Sequence, residues 1–214
     1  MKIMEPKILS KLEQSDSIDL SIADAIENDF PIENQHFQKD KLRYKDANKL
    51  EFKGCFFEST DLSHMELENG YLLDCMFINC DLSNVDFKST LLRRTHFKNC
   101  KLTGADFSKA MFDHVVFEES QMSYVNFSST NNKALEINHC LLSESSFNEC
   151  DLTKTTFIKC NLSRCEFIQT PLKNVDLSSS DISGILLNLN HLNGAIISEA
   201  QAIDIAHLLG IKIK

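Results

Sequence analysis

Apolar residues recur at every fifth position from Phe37 to Ile197, in one frame without insertion or deletion. Of the 33 positions in this frame only Asn132 is polar, although hydrophobic residues are 43% of the sequence, so chance does not explain the column. A period of five matches neither the 3.6-residue period of an amphipathic helix nor the alternation of an exposed strand. The pattern therefore indicates an internal repeat and not a single amphipathic helix or strand.

A second column lies two positions before each apolar residue. From position 55 onward it holds mostly Cys, Thr, Ser, Ala, Val and Gly, and the three remaining positions of each five are mostly polar. Two inward positions and three outward ones predict a coil that turns a corner every five residues, with backbone hydrogen bonds between stacked turns. All eight cysteines fall in the small column: Cys55, Cys75, Cys80, Cys100, Cys140, Cys150, Cys160 and Cys165.

Units such as CDLSN at 80–84, ADFSK at 105–109, CDLTK at 150–154 and VDLSS at 175–179 resemble the A(D/N)LXX unit of pentapeptide-repeat proteins. The resemblance implies an all-β solenoid, a right-handed quadrilateral β-helix with four pentapeptides to a coil, so that residues 20 apart stack on one face. The phenylalanines sort accordingly onto two opposite faces, with mainly Leu between them. One face holds Phe57, Phe77, Phe97, Phe117 and Phe157, and the other holds Phe87, Phe107, Phe127, Phe147 and Phe167.

The continuous frame predicts one solenoid domain at 34–197. Residues 1–33 do not fit it and are predicted to form a cap or arm over the open edge of the first coil. Within this segment, the apolar residues that follow Pro6 are compatible with a short helix, whereas 16–30 alternates imperfectly. At Asn132 the frame weakens but resumes without an added residue, which predicts a local bulge or kink.

The last segment, 198–214, changes character. Ser198 and Gln201 form a capping box, an apolar helical stretch follows, Gly210 ends it, and a short strand-like IKIK closes the chain. The apolar residues cover more than one helix face, and this surplus predicts a homodimer contact. The residues assigned to it are Ile203, Ile205, Leu208, Leu209, Ile211 and Ile213.

Composition and motifs exclude several classes of function. The net charge of −9 disfavours direct binding to nucleic acid, which needs clustered Lys and Arg. Neither an export signal nor a membrane-length apolar stretch is present, so we expect a cytoplasmic protein with free, buried thiols. No glycine motif for a nucleotide occurs, the histidines are scattered, and the cysteines lack zinc spacing. The expectation is a protein without cofactor, metal or catalysis; a redox or metal thiol protein is the weak alternative.

Outward positions then supply the candidate surfaces. A hydroxyl column lies directly after one Leu face, and its hydroxyls suit hydrogen bonds to nearby backbone in turns. Its residues are Ser63, Ser83, Thr103, Ser123, Ser143, Ser163 and Ser183. An acidic column contains Glu66, Asp86, Asp106 and Glu166, either as a partner site or as turn chemistry of its own. An apolar stripe occupies positions where polar residues are expected, which marks either an interface or the track of the N-terminal arm. Its residues are Phe56, Tyr71, Met76, Leu91, Met111 and Val116.

A finer resemblance connects the last 80 or so residues with the Qnr-type branch of the family. It rests on NNKALEINHC at 131–140 and on the finish from Leu192, LNG followed by QAIDIAHLLG. The resemblance implies a non-catalytic DNA mimic that binds and inhibits DNA gyrase or topoisomerase IV, with protection from quinolones as a further property. We expect the acidic column to make the contact with the enzyme. The uninterrupted frame lacks the long loops of many Qnr proteins, so it favours gyrase binding over protection. The alternative function is a scaffold solenoid that docks a protein through the apolar stripe.

Overall fold

The computed structural model describes residues 2–208 and 210–212. Its strands are short and parallel, and paired residues occupy equivalent positions of successive coils, as in Phe57 with Phe77 and Tyr71 with Leu91. The strands are β1 Glu13–Gln14, β2 Ile32–Glu33, β3 Gln35–Gln38, β4 Glu51–Lys53, β5 Phe56–Glu58, β6 Tyr71–Leu73, β7 Met76–Ile78, β8 Leu91–Lys98, β9 Met111–Glu118, β10 Asn131–Asn138, β11 Thr155–Ile158, β12 Glu166–Phe167 and β13 Leu186–Leu187.

Most of these strands lie on two faces of the coil, and the other two faces carry mainly isolated parallel bridges. Asp61 pairs with Asp81, and Glu66 pairs with Asp86, again one coil apart. The chain is therefore a quadrilateral β-solenoid of about nine turns with a C-terminal helix. The 20-residue register begins at Ile32, which pairs with Phe52, slightly before the predicted start of the repeat. Strand β1 adds to this ladder from the N-terminal segment, because Glu13 pairs with Gln35.

Left-handed backbone makes the corners. Each coil corner lies two places after an apolar residue of the five-residue frame. At most of these corners the residue has a positive φ, including non-glycine residues such as His64 (61°), Arg94 (47°) and Tyr124 (62°). This conformation is uncommon outside glycine, and Asn and Asp tolerate it better than most residues. Its cost is offset because the same residue's N–H donates to the next coil, as Asn84 does to the Thr103 carbonyl (3.0 Å).

Two ladders of stacked phenylalanines fill the interior, as predicted from the sorting by coil. Phe57, Phe77 and Phe97 stack with ring centroids 4.4 and 4.7 Å apart. On the opposite face Phe87 and Phe107 stack at 4.9 Å. The two ladders meet edge to face, because the rings of Phe97 and Phe107 cross at 79°. Both arrangements are favourable for aromatic rings and leave a close-packed core.

The small column contributes hydrogen bonds as well as small volume. Its hydroxyls and thiols donate to a backbone carbonyl of the preceding coil. Examples are Thr60 to Phe37 (3.1 Å), Thr90 to Leu67 (2.6 Å) and the thiol of Cys75 to Phe52 (3.3 Å). Cysteine, threonine and serine are therefore preferred because they combine a small side chain with a donor.

Asn132 marks the predicted irregularity. The β9–β10 register shifts between Asn132 and Ala134 and again before Leu135, and the frame then resumes. The shift turns Ala134 inward, where it is buried. The amide of Asn132 is also buried and donates to the hydroxyl of Thr155 (3.2 Å). The predicted local bulge is confirmed.

The N-terminal segment has two parts. Residues 2–12 contain no helix, so the short helix expected after Pro6 is wrong. The helix, α1, is instead Ile18–Asn28, in the acidic stretch, and it ends at Asp29 with φ 54°. It buries Ile18, Ile22 and Ala25 against the first coil, because these three residues share one face.

At the other end, a 3₁₀ turn at Leu189–Leu192 precedes helix α2, Glu199–Leu208. The predicted capping box is present: the N–H of Ser198 donates to Gln201 (2.7 Å), and the N–H of Gln201 donates to the Ser198 hydroxyl (3.3 Å). The Gln201 amide also donates to the carbonyls of Leu177 (2.9 Å) and Ser180 (2.6 Å). This buried side chain therefore satisfies backbone acceptors at the exposed end of the solenoid. Residues 211–212 are not in a strand.

Candidate interaction surfaces

The acidic column forms a line along one face of the rod. Asp46, Glu66, Asp86 and Asp106 bridge in parallel from coil to coil, and the line continues through Asn126 and Ser146 to Glu166. Glu66 is exposed, and Asp86, Asp106 and Glu166 are partly exposed. In the described part of the chain, no Lys, Arg or His forms an ion pair with Glu66, Asp86, Asp106 or Glu166. The first three carboxylates therefore lie in successive coils without a neutralising partner.

Two members of this column also have a turn role. Asp86 accepts the N–H of Lys88 (2.8 Å), and Asp106 accepts the N–H of Ser108 (2.7 Å). Asn126, the neutral residue at the same position, accepts the N–H of Ser128 in the same way (3.0 Å). An amide therefore satisfies this turn as well as a carboxylate does, so the turn alone does not require the charge.

The hydroxyl column takes part in equivalent turns on the neighbouring face. Ser83 donates both its N–H and its hydroxyl to Asp81 (2.9 and 2.6 Å), and Ser63 does the same to Asp61. Here cations neutralise the carboxylates: Lys41 lies 2.8 Å from Asp61, and this hydrogen bond lowers the pKa of Asp61 to about 2. This paired line contrasts with the unpaired acidic column beside it.

The apolar stripe lies on the opposite side of the rod, where the N-terminal arm crosses it. The N–H of Met4 donates to Nδ1 of His114 (3.1 Å), and the N–H of Lys7 donates to Asp74 (2.9 Å). Between them, Glu5 lies 3.7 Å from Nδ1 of His96. Residues 2–12, called the arm from here on, therefore run along the side of the rod that carries the apolar stripe. This path corresponds to the second alternative for the stripe, the track of the N-terminal arm.

Burial varies along the stripe. Val116 is 8% exposed although it points outward, and Met111 is 41% exposed. The remaining members are half-buried: Phe56, Tyr71, Met76 and Leu91.

The anchoring groups of the arm were not singled out from the sequence. Arg94 donates twice to Asp74, at 2.6 Å each, and lies in the next coil at the same corner. Burial raises the pKa of Asp74, but the hydrogen bonds from Arg94 and from the Lys7 N–H outweigh it, so the pKa is lowered overall. An acidic and a basic residue one coil length apart are the sequence signal for such an ion pair. The signal can be read only once the coil length is known to be 20 residues.

The tail residues assigned to dimerisation do not share one environment. Ile203 and Ile211 are about half exposed, whereas Ile205 packs partly buried against the core of the solenoid. Leu209 and Ile213 lie outside the described residues, as does the side chain of Leu208. The described part therefore leaves Ile203 and Ile211 available for a second copy.

The cysteines are free and buried, all eight of them. Burial raises the pKa of Cys140 and of Cys165 to about 12, which suppresses the thiolate form at neutral pH. Among the described residues, no three His, Cys, Asp or Glu side chains cluster as a metal site would require. In the same part of the chain, none of the helices has the length and apolar character of a membrane span.

Comparisons with known proteins agree with the register. The family model described as pentapeptide repeat region matches residues 70–147, and the model described as pentapeptide repeats (8 copies) matches residues 137–169. No curated protein matches the chain.

Three solved structures illustrate the likeness in fold. Full-length QnrB1, a plasmid-mediated fluoroquinolone resistance protein, is 23% identical, with 93% of this chain and 95% of that chain covered and a TM-score of 0.46. HetL, a pentapeptide repeat protein involved in heterocyst differentiation regulation from the cyanobacterium Nostoc, is 15% identical, with 86% and 98% covered and a TM-score of 0.30. A pentapeptide repeat protein from the Arabidopsis thaliana thylakoid lumen is 24% identical, with 53% and 66% covered and a TM-score of 0.30.

The two family matches overlap and join into one run over residues 70–169. In the structure, the regular coil extends that run in both directions, from the pairing of Ile32 with Phe52 to that of Asp176 with Ile196. Residues 70–169 of the chain are a pentapeptide-repeat region.

Proposed function

We propose that this chain is a non-catalytic protein that binds DNA gyrase or topoisomerase IV in place of a DNA segment, through its acidic column. The observation that carries the proposal is the line of unpaired carboxylates at Glu66, Asp86 and Asp106, one per coil. A regular row of negative charge on a rigid rod is the surface that a basic, DNA-binding groove attracts. The Qnr-type motifs at 131–140 and after Leu192 support the choice of enzyme.

The charge density sets a limit on the mimicry. About nine turns at ~4.8 Å each give a rod of about 43 Å. A net charge of −9 over that length is about one charge per 5 Å, against one per ~1.7 Å in duplex DNA. Charge therefore steers the approach, while the shape of the rod supplies much of the fit.

A homodimer through the tail would double the length of this rod. Ile203 and Ile211 are the exposed apolar residues that support such a contact. We expect wild-type protein to sediment as a dimer and the variant Ile203→Asp with Ile211→Asp to sediment as a folded monomer. A dimer that persists in this variant would place the contact elsewhere.

The test of the acidic column uses substitutions that keep the turns. In Asp86→Asn with Asp106→Asn, each amide oxygen still accepts its N–H, as Asn126 does, so only charge is lost. Inhibition of gyrase supercoiling should weaken about threefold or more, and the reversal of both residues to Lys should weaken it ~10-fold or more. Inhibition by wild type should fall as salt rises. A parallel titration with a fluoroquinolone measures protection separately.

The matched control removes two charges from the same type of turn on other faces. Asp151 accepts the N–H of Thr153 (3.0 Å), and Asp176 accepts that of Ser178 (2.9 Å). Asp151→Asn with Asp176→Asn should leave inhibition within twofold of wild type. Equal weakening by both pairs would mean that net charge matters and the column does not, and unchanged inhibition in both would reject the electrostatic mechanism.

A further inference from the structure

The arm is extended along the rod and crosses three coils. Its contacts with His114, His96 and Asp74 come in the order of Met4, Glu5 and Lys7. His114 and Asp74 are two coils apart, about 10 Å at the usual strand spacing. Three residues of fully extended chain span about the same distance. The arm therefore runs as an extended peptide, in the direction opposite to the progression of the coils.

Side chains of the solenoid hold this peptide, and backbone ladders do not. In the described structure, no backbone-to-backbone hydrogen bond joins residues 2–12 to the coils, and the first such bond is made by Glu13 to Asn34. Each coil, in contrast, bonds to its neighbours through backbone groups on all four faces. The arm can therefore leave its track without breaking the ladder that defines the fold.

The track presents complementary groups to an extended chain. Nδ1 of His114 and the carboxylate of Asp74 accept the main-chain N–H groups of Met4 and Lys7, and His96 faces a carboxylate. Arg94 holds Asp74 in place from the side. The apolar floor is half-buried or buried, and its residues are Tyr71, Met76, Leu91 and Val116. Acceptors for main-chain groups combined with apolar contacts are what peptide-binding grooves use.

We propose that this track is a docking site for an extended peptide segment that carries a carboxylate, and that the arm closes the site in cis. The arm is an intramolecular occupant, so a partner segment must compete against an effective concentration in the millimolar range. The site lies on the opposite side of the rod from the acidic column. Binding at one surface is thus compatible with binding at the other.

The experiment uses the full chain with the arm's own contacts removed. Met4→Pro and Lys7→Pro delete the two N–H donors, and Glu5→Gln deletes the carboxylate, while the track itself is unchanged. A fluorescent peptide with the sequence of residues 2–12 is then titrated and followed by anisotropy. We expect it to bind this triple variant at least tenfold more tightly than wild type, because the tethered arm no longer competes.

Two controls keep the result interpretable. Lys2→Pro with Leu9→Pro places prolines at arm positions that make no hydrogen bond in the described structure, and it should bind the peptide as weakly as wild type does. A peptide with Glu5→Lys should bind the triple variant at least threefold more weakly. Equal affinity for wild type and triple variant, or no binding to either, overturns the proposal.

Thiol labelling gives an independent measurement in a chain with an intact arm. Because the native cysteines are buried, Met76→Cys introduces one thiol under the arm, and Met111→Cys introduces one at its exposed margin. The thiol introduced at position 76 should be labelled more slowly than the thiol introduced at position 111. It should still be labelled much faster than the eight native thiols. Reaction at 76 only together with the native thiols would show that the arm opens only on unfolding, and this too overturns the proposal.

Discussion

The same two faces of the solenoid differ between the early coils, which the arm covers, and the later ones, which it does not. Outward Val116, two residues from the arm contact at His114, is buried, whereas Thr156 and Asp176, further along the same column, are exposed. At the corner, Asp74 is 9% exposed, while Asn174 lies on the surface. The five-residue repeat is the same in both regions, so it does not cause the difference in exposure.

The composition of the outward positions follows this difference. Under the arm this column contains Met76, His96 and Val116, and beyond the arm it contains Glu136, Thr156 and Asp176. The column five residues earlier has apolar residues in three successive coils, Tyr71, Leu91 and Met111. Apolar residues at outward positions are favourable only where something removes them from water. A run of such residues in successive coils therefore marks a surface that is covered, either by the chain itself or by a partner.

The largest expected effect comes from a charge placed under the arm. Val116→Asp should lower the free energy of unfolding by roughly 1.5–3 kcal/mol, because the burial of one aliphatic side chain is lost. Thr156→Asp, at the same position of an uncovered coil, should stay within about 0.5 kcal/mol of wild type. Denaturant melts of the two variants measure the difference. Equal losses would mean that the arm does not distinguish the two regions.

A smaller effect is expected from the anchoring ion pair. Asp74→Ala leaves Arg94 and the Lys7 N–H without an acceptor and should cost about 1–3 kcal/mol. Asn174→Ala is its control, because both residues have left-handed backbone, with φ of 54° and 63°, so the cost of alanine in that conformation cancels. A similar loss in both variants would assign the effect to the backbone and not to the arm.

Acid should reduce that difference. The folded pKa of Asp74 lies below its ordinary value of 3.8, so its contribution to stability is present above pH 3.8 and is lost as the pH falls through the folded pKa. The gap in stability between wild type and Asp74→Ala should therefore narrow below about pH 3.8. A gap that is independent of pH would mean that the ionised carboxylate does not hold the arm.

Much of the architecture could be predicted because the repeat is local and regular. The frame at every fifth residue placed the apolar side chains inward, and sorting the phenylalanines by coil predicted their two ladders. The small column predicted buried thiols, although its donor role was not foreseen. That role depends on a carbonyl of the preceding coil, which is adjacent only after the coil closes.

The candidate surfaces were predicted less completely, because they too depend on residues that become adjacent only after the coils close. The acidic column could be listed by counting in twenties, but whether Asp86 and Asp106 had cations beside them depended on neighbouring columns. The path of the arm could not be derived, because residues 2–12 have no period and are held by side chains of three coils. The sequence by itself determined the solenoid, since inward positions repeat. Only the tertiary structure decided which outward positions are covered, since that contact joins the arm to residues such as Asp74 and His114, which are remote from it in sequence.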